Sequence, residues 1–229
     1  MKRKNWIFII CISALILLIV GFSLMCMEGR RDREPIVVEP GAEKLVALTF
    51  DDGPHPLYTL RVLDVLYEHQ APSTFFISGK NILNNRGLIE QMVSDGHELG
   101  NHTYHHYDLT TLTKDEIRLE IQRTQEALEQ VLPDYSMLYM RPPFGRYNHQ
   151  VLMASHLPMI LWDIDSYDWA ISDVDIIFSV IMDNVQDGSI IVFHDDNIAT
   201  VKALERILPE LRQRGFQPVT LTQLFESEN

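Results

Sequence analysis

From Lys44 onward, short apolar runs alternate with stretches of helical periodicity, and this alternation limits the fold more than any other feature of the chain. The spacing predicts strands at 45–50, 73–78, 97–100, 137–141, 158–163, 189–194 and 216–220. It predicts helices at 58–69, 87–95, 114–131, 173–185 and 200–214, with a weaker one at 148–156. Repeated strand–helix units imply a parallel sheet, either closed into a barrel or doubly wound. Seven units in about 185 residues suit a small or incomplete barrel better than a full eight-fold one. The helix at 114–131 carries the strongest local signals. Thr113 and Glu116 form a capping box, Leu112 and Ile117 a hydrophobic staple, and Ile117, Ile121, Thr124 and Leu128 share one stripe. Gly96 and Gly215 stand where helices should end. There is no internal repeat, so residues 44–229 read as one domain.

The first 43 residues are different in kind. Lys2, Arg3 and Lys4 precede a 23-residue uncharged run, Asn5 to Met27. As a helix it would span roughly 35 Å, enough for a hydrocarbon core of about 30 Å. The run is longer than the apolar part of a cleaved signal and lacks a small-residue cleavage pattern. It therefore reads as a transmembrane signal anchor over 5–27, following a short cytoplasmic segment at 1–4. Arg30, Arg31 and Arg33 on the far flank weaken the positive-inside bias, so charge alone does not set the orientation. Residues 28–43, with Glu34, Pro35, Pro40 and Gly41, read as an extended linker.

Both cysteines, Cys11 and Cys26, lie within the apolar run, so the domain is built without disulfides. Residues 1–34 carry six basic and three acidic side chains, which turns the −13 of the whole chain into −16 over the remaining 195 residues. Such a domain repels phosphate backbones, and nucleic acid is excluded as a partner.

Five polar clusters each follow a predicted strand end, where parallel folds gather their connecting loops. Asp51-Asp52-Gly53-Pro54 places two carboxylates together. These residue types also form turns, but a cation would relieve the repulsion, leaving one carboxylate as its ligand and the other as a base. His102 and His106 are four apart, so one helical turn would bring both rings to the same side, with His105 a competitor by spacing alone. Two histidines and one carboxylate suit a catalytic divalent ion, Zn²⁺ or a first-row neighbour such as Co²⁺, Mn²⁺ or Ni²⁺. Arg141 heads Arg141-Pro142-Pro143-Phe144-Gly145, a rigid exit that would hold a guanidinium against a carboxylate. Asp165, Asp168 and Trp169 offer carboxylates beside an indole, a flat floor for a sugar ring. His194 ends the apolar run Ser189–Phe193 and is a candidate proton donor.

Together these clusters resemble the polysaccharide deacetylases of carbohydrate esterase family 4, the NodB homology domain. The likeness covers roughly residues 44–226, with all five motifs in order. It implies a distorted (β/α) barrel with fewer than eight strands, and metal-dependent removal of acetyl groups from a polysaccharide. It implies that Asp52, His102 and His106 bind the metal, which selects His106 over His105. It further implies Asp51 as catalytic base, positioned by Arg141, and His194 as general acid, oriented and tuned by Asp165. Trp169 would line the acetyl pocket, and the Phe144 backbone N–H would face the oxyanion. Phe144 replaces a frequent Tyr, and Val192 a Leu that encloses the acetyl methyl. Peptidoglycan is the first expected substrate, with the domain outside the cell; chitin-like chains, poly-N-acetylglucosamine and acetylated xylan are alternatives. An anchored glycan-binding protein without activity is a weaker reading, because binding alone requires neither Asp51 nor His194.

Overall fold

A computed structural model of the chain describes residues 33–36, 38 and 44–227. The segments expected to be cytoplasmic (1–4) and membrane-spanning (5–27) lie outside the described residues, as does most of the linker at 28–43. Among the described residues no helix is long and apolar enough to cross a membrane. Two residues of the expected linker are packed rather than free. Ile36 is buried, with its N–H donating to the Asp95 carbonyl at 2.9 Å, and Val38 packs beside the Ala47–Phe76–Val219 cluster.

Six parallel strands form the sheet: β1 (Lys44–Asp51), β2 (Thr74–Ile77), β3 (Glu98–Asn101), β4 (Ile164–Asp165), β5 (Ser189–His194) and β6 (Phe216–Val219). Their order is β3-β2-β1-β5-β4. β1 pairs with β5 along its length; on its other edge β6 pairs with Lys44–Ala47 and β2 with Thr49–Asp51. The helices are α1 (Tyr58–Glu68), α2 (Gly79–Ile82), α3 (Arg86–Ser94), α4 (Lys114–Glu129), α5 (His149–Ala154), α6 (Val174–Asn184), α7 (Ile198–Gln213) and α8 (Leu221–Ser227).

Two of the seven expected strands are not strands. The segments 137–141 and 158–163 contribute single bridges, Asn101 to Met140 and Met140 to Met159. Pro142, Pro143 and Pro158 remove ladder donors there. The carbonyls of Ile160 and Leu161 accept instead from the Arg141 side chain, at 3.0 and 2.8 Å. Through these bridges the sheet continues from β3 to the segment that runs into β4, giving an irregular ring.

The register of β1 decides which residues face the site. Phe50 points outward and stacks between Phe75 and Phe193, with centroids at 4.8 and 5.6 Å. Val46 and Leu48 share that outer face with helix residues such as Leu63, Leu66 and Leu204, all buried. Alternation along the strand then turns Thr49 and Asp51 inward. Slipping the register by one residue would exchange Phe50 with Asp51 in the apolar layer. The expected capping box of α4 is present, and Leu112 and Ile117 lie in one cluster. Gly96 and Gly215 follow α3 and α7 at φ of 93° and 84°, the left-handed geometry that a side chain disfavours.

Candidate metal centre and active site

All six strands run the same way, so Asp51, His102, Arg141, Asp165 and His194 meet on one rim. Asp51, the last residue of β1, is buried, and its Oδ1 accepts from Arg141 Nη1 at 2.8 Å. Arg141 is itself fully buried. Beyond its bonds to Asp51 and the Ile160 and Leu161 carbonyls, it donates to Thr49 Oγ1 at 2.7 Å and lies 4.2 Å from the Phe76 ring centroid. Burial pulls the guanidinium pKa down and Asp51 only partly offsets this; an arginine remains charged even so.

Asp52 adopts a left-handed φ of 75°, and its carboxylate reaches the same His102 Nε2 that Asp51 Oδ2 approaches at 3.9 Å. Asp52 Oδ1 lies 3.0 Å from His106 Nε2 and 3.4 Å from His102 Nε2. One donor atom from each of the three residues falls within 4.8 Å of the others. His102 Nδ1 lies 2.8 Å from the Arg141 carbonyl, which fixes the proton on Nδ1 and leaves Nε2 with a lone pair facing Asp52. One carboxylate and two imidazoles converge on a point, with one ring's tautomer already set. That donor set fits a divalent ion such as Zn²⁺.

The histidines do not converge through a helical turn. The segment from His102 to Tyr107 is irregular, with Thr103 and His106 both at φ of 66°. These two reversals bring the outer rings together, 4.9 Å apart between centroids, and send His105 elsewhere. His105 Nδ1 instead lies 2.7 Å from Glu120 Oε1.

His194 ends β5 directly beside Asp51, its register partner. Its orienting carboxylate is Asp168, not Asp165. Asp168 Oδ1 lies 2.7 Å from His194 Nδ1, while Oδ2 accepts from the His194 N–H at 2.8 Å and from Thr200 Oγ1 at 2.5 Å. Asp165 is occupied locally. Its Oδ1 accepts from the Tyr167 N–H at 2.8 Å, forming a tight turn with Tyr167 at φ of 57° that carries Asp168 under the histidine. Burial lowers the His194 pKa, but the Asp168 hydrogen bond and the charges of Asp168, Asp51 and Asp52 win and push it up to about 9.

A cleft of about 720 Å³ opens over these groups. Val192, 2% exposed, lies two residues before His194 and lines it, as do Asp165 and the exposed Phe144 and Trp169. Phe144, at φ of 59°, packs edge-on against His106 at 4.6 Å.

Residues 39–159 match the family described as polysaccharide deacetylase. The chain belongs to the polysaccharide deacetylase family. Peptidoglycan-N-acetylglucosamine deacetylase PgdA of Listeria monocytogenes is 35% identical over 191 residues, covering 83% of this chain and 41% of that protein. A chitooligosaccharide deacetylase of Sinorhizobium fredii is 37% identical over 187 residues, covering 75% of this chain and 87% of that protein. The solved structure of peptidoglycan deacetylase PdaC from Bacillus subtilis has a TM-score of 0.79 at 34% identity, over 83% of this chain and 94% of that one.

Several residues that support this deacetylase-family site are given no role by the sequence alone, although Asp195 stands in the polar cluster His194-Asp195. Glu120, 5% exposed on α4, accepts from the His105 N–H at 2.7 Å as well as meeting its ring. The one sequence signal for it is its place next to the apolar stripe at Ile117, Ile121 and Thr124. Trp162 lines the cleft from the segment that runs into β4 and lies 5.5 Å from the Arg141 guanidinium. Asp195 is fully buried and bonded to Thr59 Oγ1, and burial pushes its carboxyl up to about 7. It packs so closely on Gly53 that a Cβ there would fall 2.3 Å from both carboxylate oxygens. The turn after Asp52 therefore requires glycine.

Proposed function

We propose that this chain is a metal-dependent hydrolase that removes N-acetyl groups from an extracellular N-acetylglucosamine polymer, peptidoglycan before the alternatives, and releases acetate. Two separately held proton-transfer groups on neighbouring strands, beside one candidate metal centre, support this reading. Asp52, His102 and His106 are the residues that would hold the ion, Zn²⁺ before Co²⁺, Mn²⁺ or Ni²⁺. When bound, such an ion polarises an acyl oxygen and acidifies water.

The chain's own groups perform the rest. Arg141 takes Asp51 Oδ1, so Oδ2, 3.9 Å from His102 Nε2, is left to accept a proton from the attacking water. Asp168 takes His194 Nδ1, so Nε2 is left to protonate the departing amine. That proton matters because an amide anion is a very poor leaving group. The C–N bond breaks, the water oxygen becomes part of acetate, and the sugar keeps a free amine. The Phe144 N–H is assigned to the developing oxyanion, and Trp169 and Val192 to the acyl group. Asp165 shapes the turn that delivers Asp168.

Peptidoglycan is supported by the names carried by PgdA and PdaC, and a chitin-like chain by that of the chitooligosaccharide deacetylase. A single-pass anchor at 5–27 in the cell membrane, with residues 1–4 inside and the domain outside, would keep the site against the wall. The test is mass spectrometry of peptidoglycan fragments incubated with the full chain in detergent. Acetate release that is lost to a chelator and restored by Zn²⁺ or Co²⁺ is expected. No acetate, or full activity in a metal-free preparation, overturns the reading.

A further inference from the structure

A second depression, of about 600 Å³, adjoins the candidate centre. It shares Asp52, His106 and Asp196 with the first cleft but differs from it in chemistry. Where the first offers Trp169, Trp162 and Phe144, the second is lined by His55, Ser78, Lys80, Asn81, Asn84 and Asn85. Asn81 Nδ2 donates to the Asp52 carbonyl at 3.0 Å, and Asn85 Nδ2 to those of Pro54 and Asn81 at 3.3 and 2.8 Å. Both amide nitrogens are thus committed to the loop that carries Asp52, and both amide oxygens remain as acceptors. His55 Nδ1 accepts from the Leu57 and Tyr58 N–H groups at 3.2 and 3.3 Å, so its proton sits on Nε2 as a donor.

Ser78 Oγ supplies the sharper observation. It is buried to 1% exposure and has no hydrogen-bond partner within the protein. A buried hydroxyl without a partner is costly unless something arrives to bond it. Lys80 is exposed on the same wall, and no ion-pair partner exists for its ammonium among the described residues. Its backbone is fixed against the histidine loop, with the N–H donating to the Tyr104 carbonyl at 3.0 Å. Paired donors and acceptors suit the hydroxyls of a sugar ring. An ammonium without an ion-pair partner beside them suits a carboxylate on that ring, against the general repulsion of an acidic chain and of Asp52 and Asp196 in the same cleft.

We propose that this second cleft seats the sugar next to the one that is deacetylated, and that Lys80 pairs with a carboxylate carried by that neighbour. The inference rests on the deacetylase reading and narrows its substrate class. It selects a glycan in which N-acetylglucosamine alternates with an acid-bearing sugar, as in peptidoglycan strands freed of their peptides, over neutral homopolymers and over strands whose lactyl carboxyl groups are amidated.

The experiment compares three substrates with the full chain in detergent. They are peptide-free peptidoglycan strands with free lactyl carboxylates, the same strands with those carboxylates converted to methyl amides, and the N-acetylglucosamine tetramer. The wild type should prefer the free acid over the amide by about fivefold in kcat/KM, chiefly through KM, and salt should weaken the preference. Lys80→Gln should erase it, Lys80→Glu should invert it, and Lys80→Arg should keep it. Equal wild-type rates on acid and amide overturn the inference, as does a preference that persists in Lys80→Gln. Absence of acetate from all three substrates would instead refute the deacetylase reading and this inference with it.

Discussion

From β3 through β2 and β1 to β5 the ring is held by continuous parallel ladders, whereas between Met140 and β4 it is held by isolated bridges and one side chain. The ladder arc carries Asp51, Asp52, His102 and His194, the candidate ligands and proton carriers. The irregular arc carries Arg141, Phe144, Trp162, Asp165, Asp168 and Trp169, which orient those groups or line the cleft. Backbone pairing fixes where the ladder residues begin, and side-chain hydrogen bonds fix the other set. The second kind of support is concentrated in few residues, so a single substitution there should do more damage.

Arg141 offers the largest test of that difference. Arg141→Met removes the partner of the buried Asp51 and strips bonds from Thr49, Ile160 and Leu161. Breaking a buried ion pair from one side costs about 3–5 kcal/mol. Thr49→Val on the ladder arc also loses bonds, its own to the Ile191 carbonyl at 2.7 Å and the one from Arg141. The β1–β5 ladder stays intact, so the expected cost is only about 1–3 kcal/mol. Urea unfolding of the full chain measures both. If Arg141→Met is no more destabilising than Thr49→Val, the irregular arc does not depend on that side chain.

Asp168→Asn comes next. His194 has to be protonated to serve the leaving amine, so activity should fall as pH rises through its value of about 9. Removing the Asp168 charge takes away the main cause that raised it, so the alkaline limb should move to lower pH. The rate at neutral pH should fall by about a hundredfold. Because the folded value lies above the ordinary 6.5, the pairing also contributes stability that is complete below about 6.5 and lost as pH rises through about 9. Asp165→Asn is the control, and its alkaline limb should stay in place. A limb that moves in Asp165→Asn and not in Asp168→Asn would reverse the assignment made from the geometry.

The same division marks what the sequence made legible. Apolar runs that pair in ladders announced themselves. β1, β2, β3, β5 and β6 lie within two residues of their expected bounds, and so do all six expected helices. The runs at 137–141 and 158–163 look equally strand-like, but a buried arginine competes for their carbonyls, and periodicity does not register such a competitor. The paired carboxylates and the histidine cluster were legible from residue type and spacing, but the choice of His106 over His105 and of Asp52 over Asp51 came from the resemblance to the deacetylase family. The helical turn expected between the two histidines was not found, since left-handed residues at Thr103 and His106 do that work. Choosing between Asp165 and Asp168 depended on a turn only three residues long, below what pattern reading resolves. Short α2 and α8 were missed for a similar reason, having too few residues to show a period.

Glu120 tests support from outside both arcs. Its carboxylate holds the His105 backbone and ring between the two candidate ligands. Glu120→Gln keeps the shape but loses the charge and one acceptor. Affinity for Zn²⁺, measured by calorimetric titration of the metal-free chain, should fall by about tenfold. Asp52→Ala, which deletes a ligand outright, should cost far more. Unchanged affinity in Glu120→Gln would mean that the histidine loop holds its reversals without α4.

The smallest effect returns to the ladder arc. Val192 and His194 are two apart on β5, share a face, and both line the cleft. Valine is one methylene shorter than the leucine expected at this motif position, so the wall of the acyl site should be slightly recessed. One buried methylene corresponds to about 0.8 kcal/mol, roughly fourfold in a specificity constant. The wild type should therefore accept an N-propionyl substrate better, relative to N-acetyl, than Val192→Leu does, by several-fold and not by orders of magnitude. The measurement is the ratio of kcat/KM for the two acyl groups in each protein. Val192 sits in register with Thr49 on one side and Asp165 on the other, so its backbone cannot shift without both strands. A ladder position should thus translate a change of side-chain size directly into a change of cavity. Trp169 is 64% exposed on the irregular arc and is free to move into any space that opens. Equal ratios in the two proteins would mean that the irregular arc closes around whatever the ladder arc leaves, and the acyl specificity would then belong to Trp169.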